Sequence, residues 1–198
     1  MNCKRHNTCR KLASMNVAQS AGVAAILFYH HQINNWVNES NLSSYTEWVM
    51  GVGRERSGNY QGYYNICAGK GEKEDNCGSG FCWLMCAKRE FSEEFKFSTS
   101  FRDGTFDTYF KSSTGQIRMF VHNRTPIFIA VLPDGTSRRT IRSKMQLDNL
   151  DPFKLLSQQE MDDFEWIKLS NGCQMEGKYI QITKFADAVR RKIDLNSL

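Results

Sequence analysis

Residues 89–97 read Arg-Glu-Phe-Ser-Glu-Glu-Phe-Lys-Phe, and this stretch carries the main information about the fold. It lies at the end of a run, 81–97, in which apolar residues recur every three or four positions with charged residues between them. That spacing is typical of an amphipathic helix, and no proline interrupts it. We therefore predict a helix over residues 81–97. Phe91 and Phe95 are expected to anchor it in the core.

Three glutamates in this stretch stand at helical spacing. Glu90, Glu93 and Glu94 occupy positions i, i+3 and i+4, so a helix would place their carboxylates on one face. Like charges at this spacing repel each other by about 0.2–0.5 kcal/mol per pair. A hard divalent cation turns that repulsion into a binding site, because Mg²⁺ prefers carboxylate and phosphate oxygens. A charged face alone is more often simply solvated, so the surroundings decide.

The segment before this helix is rich in glycine. Residues 68–72 read Ala-Gly-Lys-Gly-Glu and lead from a predicted strand towards the helix. Glycines let the backbone approach a phosphate closely, and a helix start favours anions. We therefore take Gly69, Lys70 and Glu72 as candidate substrate-binding residues. Arg89 lies four residues before Glu93 and is placed to orient it.

The rest of the chain mixes strands with a second helix. Apolar, β-branched and aromatic runs separated by turn residues predict the strands, and 183–193 has the pattern of an amphipathic helix. Residues 1–16 are polar and basic without periodicity, so we expect a flexible tail followed by one domain over 17–198. The class is α/β. The predicted strands are residues 22–29, 47–56, 63–68, 106–111, 116–122, 127–132 and 165–169.

Composition limits the possible setting. The chain has 198 residues, 40% of them hydrophobic, and a net charge of +5, which suits a polyanionic ligand without requiring one. Its seven cysteines form an odd set without framework spacing, which indicates reduced thiols in the cytoplasm or nucleus. The longest apolar run, 21–29, is too short to span a bilayer, so we expect no membrane association.

Taken together, residues 69–97 resemble the signature of the Nudix hydrolase family. That signature reads G-x5-E-x7-R-E-U-x-E-E-x-G-U, where U is a bulky apolar residue. Its first half is similar to 69–75 and its second half to 89–97, and the wider resemblance runs from about residue 22 to 169. The resemblance implies an α/β/α sandwich with a mixed sheet. It also implies hydrolysis of a diphosphate linkage in nucleoside diphosphate derivatives, dependent on Mg²⁺ or Mn²⁺.

The resemblance also implies roles for individual residues. Glu90, Glu93 and Glu94 would bind the metal together with the backbone carbonyl of Ala68. Glu93, Glu94 or the later Glu160 would accept the proton of the attacking water, and Arg89 would support them. The strand over 47–56 looks like the family's early strand, and its Arg54 and Arg56 become candidate substrate-binding residues. Glu72 is expected to pair with Arg89 or to bind an outer-shell water.

Four positions depart from the signature. Ala68 stands where the family has a first glycine, Asp75 replaces the first glutamate, and Lys96 replaces the glycine that ends the helix. Thirteen residues separate Asp75 from Arg89, six more than the pattern has, and we place the insertion in the loop that includes residues 76–80. These departures motivate an alternative in which the chain is an inactive module that binds a nucleotide.

The substrate is open between two classes. The inserted and divergent signature resembles decapping enzymes and related hydrolases of large DNA viruses, with capped RNA as substrate and a host cytoplasm or nucleus as setting. A basic stretch at 137–144 would then neutralise phosphates, and Tyr60, Tyr63 and Tyr64 are candidates for base stacking. The other class is ADP-ribose or a nucleotide sugar. Cys82 and Cys86 are candidates for a zinc site, but a structural zinc needs four ligands and the sequence has no C-x2-C pair, which favours core packing of these cysteines.

Overall fold

The computed structural model describes residues 7–29, 47–77, 80–95, 109–111, 115–132, 161–169 and 189. The basic stretch 137–144, Glu160, Lys96 and most of the predicted helix 183–193 lie outside these ranges. Within them, no helix has both the length and the apolar character needed to cross a membrane. The helices are α1 (Asn7–Ala13) and α2 (Trp83–Phe95), and the strands are β1 (Ser20–Tyr29), β2 (Glu47–Glu55), β3 (Tyr64–Asn65), β4 (Cys67–Lys70), β5 (Asn76–Cys77), β6 (Gly80–Phe81), β7 (Met119–His122), β8 (Thr125–Val131) and β9 (Met161–Lys168).

A mixed sheet of seven strands forms the centre of the described structure. Its main path runs β3-β2-β1-β8-β7, with β4 beside β1 and β9 beside β2. The central strand β1 pairs parallel with β8 and antiparallel with β2, with Ala24 opposite Ile129 and Ala25 opposite Gly51. The predicted mixed sheet is therefore confirmed.

β1 and β2 diverge, and the chain that follows β2 fills the gap between these two strands with β3 and β4. They pair with each other only through residues 25–29 and 47–51. Beyond that point β4 pairs with residues 20–23 of β1, while β3 pairs with Gly53 and Arg54 of β2. The glycine-bearing strand β4 is thereby held inside the sheet, directly beneath α2.

Helical residues cover both faces of the sheet. Alternate residues of β1 point to opposite sides: Val23 and Ala25 pack in one core cluster, Ala24 and Ile26 in the other. Helices α1 and α2 belong to the first cluster. Val189, a helical residue from the predicted helix 183–193, is fully buried in the second. This layering agrees with the expected α/β/α arrangement.

Helix α2 is held by its phenylalanines, as predicted. Phe91 and Phe95 are fully buried, and their rings meet Phe110 and Phe164 edge to face, with centroids 6.4 and 5.1 Å apart. The helix begins at Trp83 rather than at 81, because Phe81 belongs to a hairpin in which β5 and β6 pair. Its predicted last two residues lie outside the described part of the chain.

The prediction of a flexible tail over residues 1–16 is wrong for its second half. Residues Asn7–Ala13 form α1, and Cys9 and Leu12, three positions apart, are buried in the core. These two apolar residues are too few to show a helical period among the polar residues around them. Residues 1–6 lie outside the described ranges, and the single domain over 17–198 stays a prediction.

Several predicted boundaries also differ. The segment 69–80, predicted as a loop, holds the end of β4, a 3-10 helix at Lys73–Asp75 and the β5–β6 hairpin. The described part of the predicted strand 106–111 shows only a bridge from Lys111 to Ile117. Strand β9 is longer than predicted and β7 shorter, and the turn before β8 uses Asn123 and Arg124 at positive φ.

Candidate functional site

The site begins where α2 crosses β4. A Cβ built on Gly69 would overlap the carboxylate of Glu90. The glycine is therefore required for close approach, but the group that approaches is a side chain of α2. The glycines of this segment predict close approach of the backbone to a substrate phosphate, whereas the structure places the Glu90 carboxylate beside Gly69.

The three glutamates of α2 are not equivalent. Glu90 and Glu94 are each only 5% exposed, whereas the side chain of Glu93 is 55% exposed. Positions i and i+4 lie about 40° apart around a helix, so Glu90 and Glu94 both face the sheet. Position i+3 falls on the other side of that pair, at the solvent edge. The prediction of one shared face is corrected to two buried carboxylates and one at the rim.

Arg89 is the hub of the cluster. Its guanidinium contacts Glu93 at 2.8 Å and Glu90 at 2.7 Å, and it donates a hydrogen bond to the backbone carbonyl of Lys70 at 2.8 Å. It also reaches Asp75 at 3.1 Å and Glu72 at 3.5 Å. The contacts that the sequence predicted for Arg89 with Glu93 and with Glu72 are both present. Burial lowers the pKa of Arg89, but the Asp75 hydrogen bond and the Glu90 charge outweigh it and raise that pKa overall.

Asp75 is the most deeply buried acid described, with 2% exposure. It ends the 3-10 helix that follows Glu72, and its carboxylate accepts a hydrogen bond from the Glu72 backbone at 2.8 Å. The six extra residues before Arg89 do not separate the two. Residues 76–77 pair with residues 80–81 as β5 and β6, and the backbone N–H of Cys82 donates a hydrogen bond to the Asp75 carbonyl at 3.0 Å. The two ends of the insertion therefore lie close together, and Asp75 stays within reach of Arg89.

Two buried thiols adjoin the carboxylates. Burial raises the pKa of Cys67 well above its ordinary value, and the charge and hydrogen bond of Glu94 and the charge of Glu90 add to this. Burial, followed by the charges of Asp75 and Glu90, raises the pKa of Cys86 to about 12. Both groups are therefore protonated at neutral pH. The sequence-based predictions above do not place these thiols beside the carboxylates. Helical spacing is the available signal for Cys86, because it stands four residues before Glu90 and so shares its face.

Among the described residues, the side-chain geometry shows no metal centre, but the carboxylate chemistry suits a divalent cation. No set of three or more His, Cys, Asp or Glu side chains among them is arranged as a metal centre. Yet the donor chemistry fits a hard cation, since four carboxylates share one guanidinium and a further buried carboxylate lies one helical turn from Glu90. Cys82, considered for zinc, contacts Cys9 at 3.6 Å, in agreement with core packing.

The other candidate residues lie at the end of β2. The Arg54 side chain bonds to Asp162 of β9 at 2.6 Å and is 37% exposed, and this hydrogen bond raises its pKa. Tyr64 is buried and donates a hydrogen bond to Asp163 at 2.6 Å. The prediction that its ring stacks on a base is therefore wrong. Arg56, two residues after Arg54, is half-buried. The two tyrosines that stay exposed are Tyr60 and Tyr63.

Comparison with known proteins gives structural likeness only. No family model and no curated protein matches the chain. Among solved structures, NrtR from Shewanella oneidensis shows 12% identity and a TM-score of 0.44 over 87% of this chain, and its complex with a 27mer DNA shows 14% and 0.43 over 86%. This chain spans 63% and 61% of those two. A mutT/nudix family protein from Listeria innocua shows 12% and 0.41, over 87% of this chain and 92% of its own. Such values carry no argument about activity.

Proposed function

We propose that this chain is a divalent-metal-dependent hydrolase that cleaves a diphosphate linkage in nucleoside diphosphate derivatives. The observation that carries the proposal is the pair of buried carboxylates, Glu90 and Glu94, set on one face of α2 against the glycine-bearing strand β4. Ionised carboxylates are costly to bury unless they are paired or coordinate a metal. The signature resemblance of residues 69–97 supports the same assignment.

Of the two buried carboxylates on α2, Arg89 contacts Glu90. Its single positive charge is shared among Glu72, Asp75, Glu90 and Glu93, while Glu94 lies beyond it and beside the Cys67 thiol. Glu90 and Glu94 would be the side-chain ligands of a divalent cation, which prefers carboxylate oxygens. The Ala68 backbone carbonyl, on the strand that Glu90 contacts, is the candidate third ligand.

The chemistry assigns a different task to each residue. A bound metal would neutralise charge on the diphosphate and make a coordinated water more acidic. Glu90 and Glu94 would hold it at the buried side. Glu93, at the solvent edge, would accept a proton from the attacking water, and Arg89 keeps its carboxylate in place through a 2.8 Å contact. Lys70 is exposed and would meet substrate phosphate. Glu160 stays an alternative proton acceptor outside the described residues.

Two substrate classes remain candidates, capped RNA and ADP-ribose or a nucleotide sugar. The exposed rings of Tyr60 and Tyr63 suit stacking on a base in either class. Arg54, already paired with Asp162, is a weaker candidate for phosphate binding than the sequence suggested. The basic stretch 137–144 would favour RNA. A module that binds a nucleotide without cleaving it is the alternative outside enzymes. We infer a cytoplasmic setting from the reduced thiols.

Product analysis with Mg²⁺ or Mn²⁺ tests the proposal. The purified chain is incubated with cap-labelled RNA, ADP-ribose and a nucleotide sugar, beside folded Glu94→Gln and Asp162→Asn variants. We expect cleavage of at least one diphosphate, lost in Glu94→Gln and kept in Asp162→Asn. Methylated guanosine diphosphate from RNA identifies decapping, and cleavage of ADP-ribose alone identifies a small-nucleotide hydrolase. Equal activity in Glu94→Gln would overturn the site, and no cleavage of any member favours the binding module.

A further inference from the structure

Two cysteines far apart in sequence meet in the core. The sulfur atoms of Cys9 and Cys82 are 3.6 Å apart, although 73 positions separate them along the chain. Both are fully buried in the same cluster as Leu12 and Trp83. A disulfide bond has an S–S length of about 2.05 Å, so the sulfurs need to approach by roughly 1.5 Å.

The pair joins two parts of the molecule that depend on each other. Helix α1 has seven residues, and a helix this short is marginal without tertiary contacts, which Cys9 and Leu12 supply. Cys82 directly precedes α2 and donates its backbone N–H to Asp75, the buried partner of Arg89. A covalent link here would tie the N-terminal helix to the frame that supports the acidic cluster.

We propose that Cys9 and Cys82 are an oxidation site, at which a low-molecular-weight disulfide such as oxidised glutathione converts the two thiols into a reversible intramolecular disulfide. One protein thiolate attacks the small disulfide and releases one small thiol, leaving a mixed disulfide. The second protein thiolate then attacks the protein sulfur of that bond and releases the second small thiol. Two electrons pass to the small disulfide, and both protein protons end on the released thiols.

Reaction requires local opening of α1. The pKa of Cys82 is raised by its hydrogen bond with Cys9 and by burial, and a protonated, buried thiol is a poor nucleophile. Opening of the short helix exposes both sulfurs, and closing brings them back into contact. The pairing is thus selected by the folded structure, and reversal by a reductant follows the same route.

Refolding in a glutathione redox buffer tests the pairing without interference from burial. All thiols are exposed at the start, so the folded structure alone decides which pair is stable. Remaining thiols are blocked, and the chain is digested with trypsin and chymotrypsin, which together cut after Arg10, Phe81 and Trp83 and so separate Cys82 from its neighbours Cys77 and Cys86. We expect a peptide pair linking Cys9 to Cys82 that disappears on reduction. A fully reduced chain or a different dominant pair would overturn the proposal.

Thermal unfolding supplies a second readout. Oxidation should raise the melting temperature of the wild-type chain by about 5–15 °C, since a disulfide across so long a loop restricts the unfolded chain. The rise should vanish in Cys82→Ala and persist in Cys3→Ala, which keeps the pair and removes the nearest other cysteine in sequence to Cys9. A rise of equal size in Cys82→Ala would contradict the assignment. The disulfide forms independently of any hydrolase activity.

Discussion

Two arginine–carboxylate clusters in the described part of the chain differ in how deeply they are buried. Arg89 on α2 is 15% exposed and contacts four carboxylates, one of which, Asp75, is almost fully buried. Arg54 on β2 is 37% exposed and pairs with Asp162, itself 38% exposed. The distances are similar, at 2.6 to 3.5 Å.

The environment therefore decides what each pair contributes. An exposed ion pair contributes about 0–1 kcal/mol because water and salt screen it. Breaking a buried pair costs about 3–5 kcal/mol, because one charge is left buried without its counterion. By this measure the Arg54 pair is a surface contact between two strands. The Arg89 cluster holds buried charges, which is the arrangement that the proposed metal site requires.

The largest effect should come from removing a buried carboxylate of the cluster. We expect Glu94→Gln to lower turnover of the identified substrate by roughly 10³-fold, because metal ligands supply several kcal/mol of charge stabilisation. Steady-state kinetics with circular dichroism as a check of folding measures this. Asp162→Asn, the matched change in the Arg54 cluster, should leave turnover within about twofold; equal losses in both variants would abolish the contrast between the clusters.

The next effect is on stability. Arg89→Met should lower the free energy of unfolding by about 3–5 kcal/mol, since Asp75 and Glu90 lose their shared counterion. Arg54→Met should lower it by less than about 1 kcal/mol. Urea unfolding of both variants gives the comparison directly. Similar losses for the two arginines would show that burial does not separate the clusters.

Gly69→Ala tests the close approach between β4 and α2. The added methyl group would overlap the Glu90 carboxylate, so we expect a loss of about 2 kcal/mol in stability together with weaker metal binding. Gly51→Ala is the matched control, because its methyl group would meet the Phe164 ring at 2.8 Å, away from the carboxylates. It should destabilise the fold by a similar amount but leave metal affinity unchanged. Calorimetric titration with Mn²⁺ separates the two cases.

The last effect is confined to alkaline pH. The pKa of Cys86 is raised from 9.0 to about 12 in the fold, so above pH 9 the unfolded chain releases this proton first. The protonated thiol therefore supports the fold fully below pH 9, and the support is lost as pH rises towards 12. We expect Cys86→Ala to reduce the fall in unfolding free energy by up to about 1.4 kcal/mol per pH unit across that window. An unchanged slope would count against the raised pKa.

Much of the fold followed from local pattern. A period of 3.6 in the apolar residues predicts helix α2, and apolar, β-branched and aromatic runs bounded by turn residues predict strands β1, β2 and β8. Helix α1 was not predicted, since Cys9 and Leu12 alone among polar residues show no period. The glycines and charges of residues 69–80 are typical of turns and predict a loop, whereas the structure has the β5–β6 hairpin within this segment.

The site was predictable only as far as helical spacing reaches. Arg89 and Glu93 stand at i and i+4, and their contact follows from that alone. The burial of Glu90 and Glu94 but not of Glu93 depends on how α2 sits on β4, which tertiary packing decides. The pairing of Arg89 with Asp75 depends on the β5–β6 hairpin, which brings the two ends of the insertion together. No local sequence pattern predicts that contact.

The most direct test of the central claim is Mn²⁺ binding followed by electron paramagnetic resonance. Free Mn²⁺ gives a strong signal that falls when protein binds the ion. The wild-type chain should reduce the signal, Glu90→Gln and Glu94→Gln should each restore most of it, and Asp162→Asn should behave as wild type. Wild-type affinity in both glutamate variants would contradict the assignment of the buried carboxylates as the metal site.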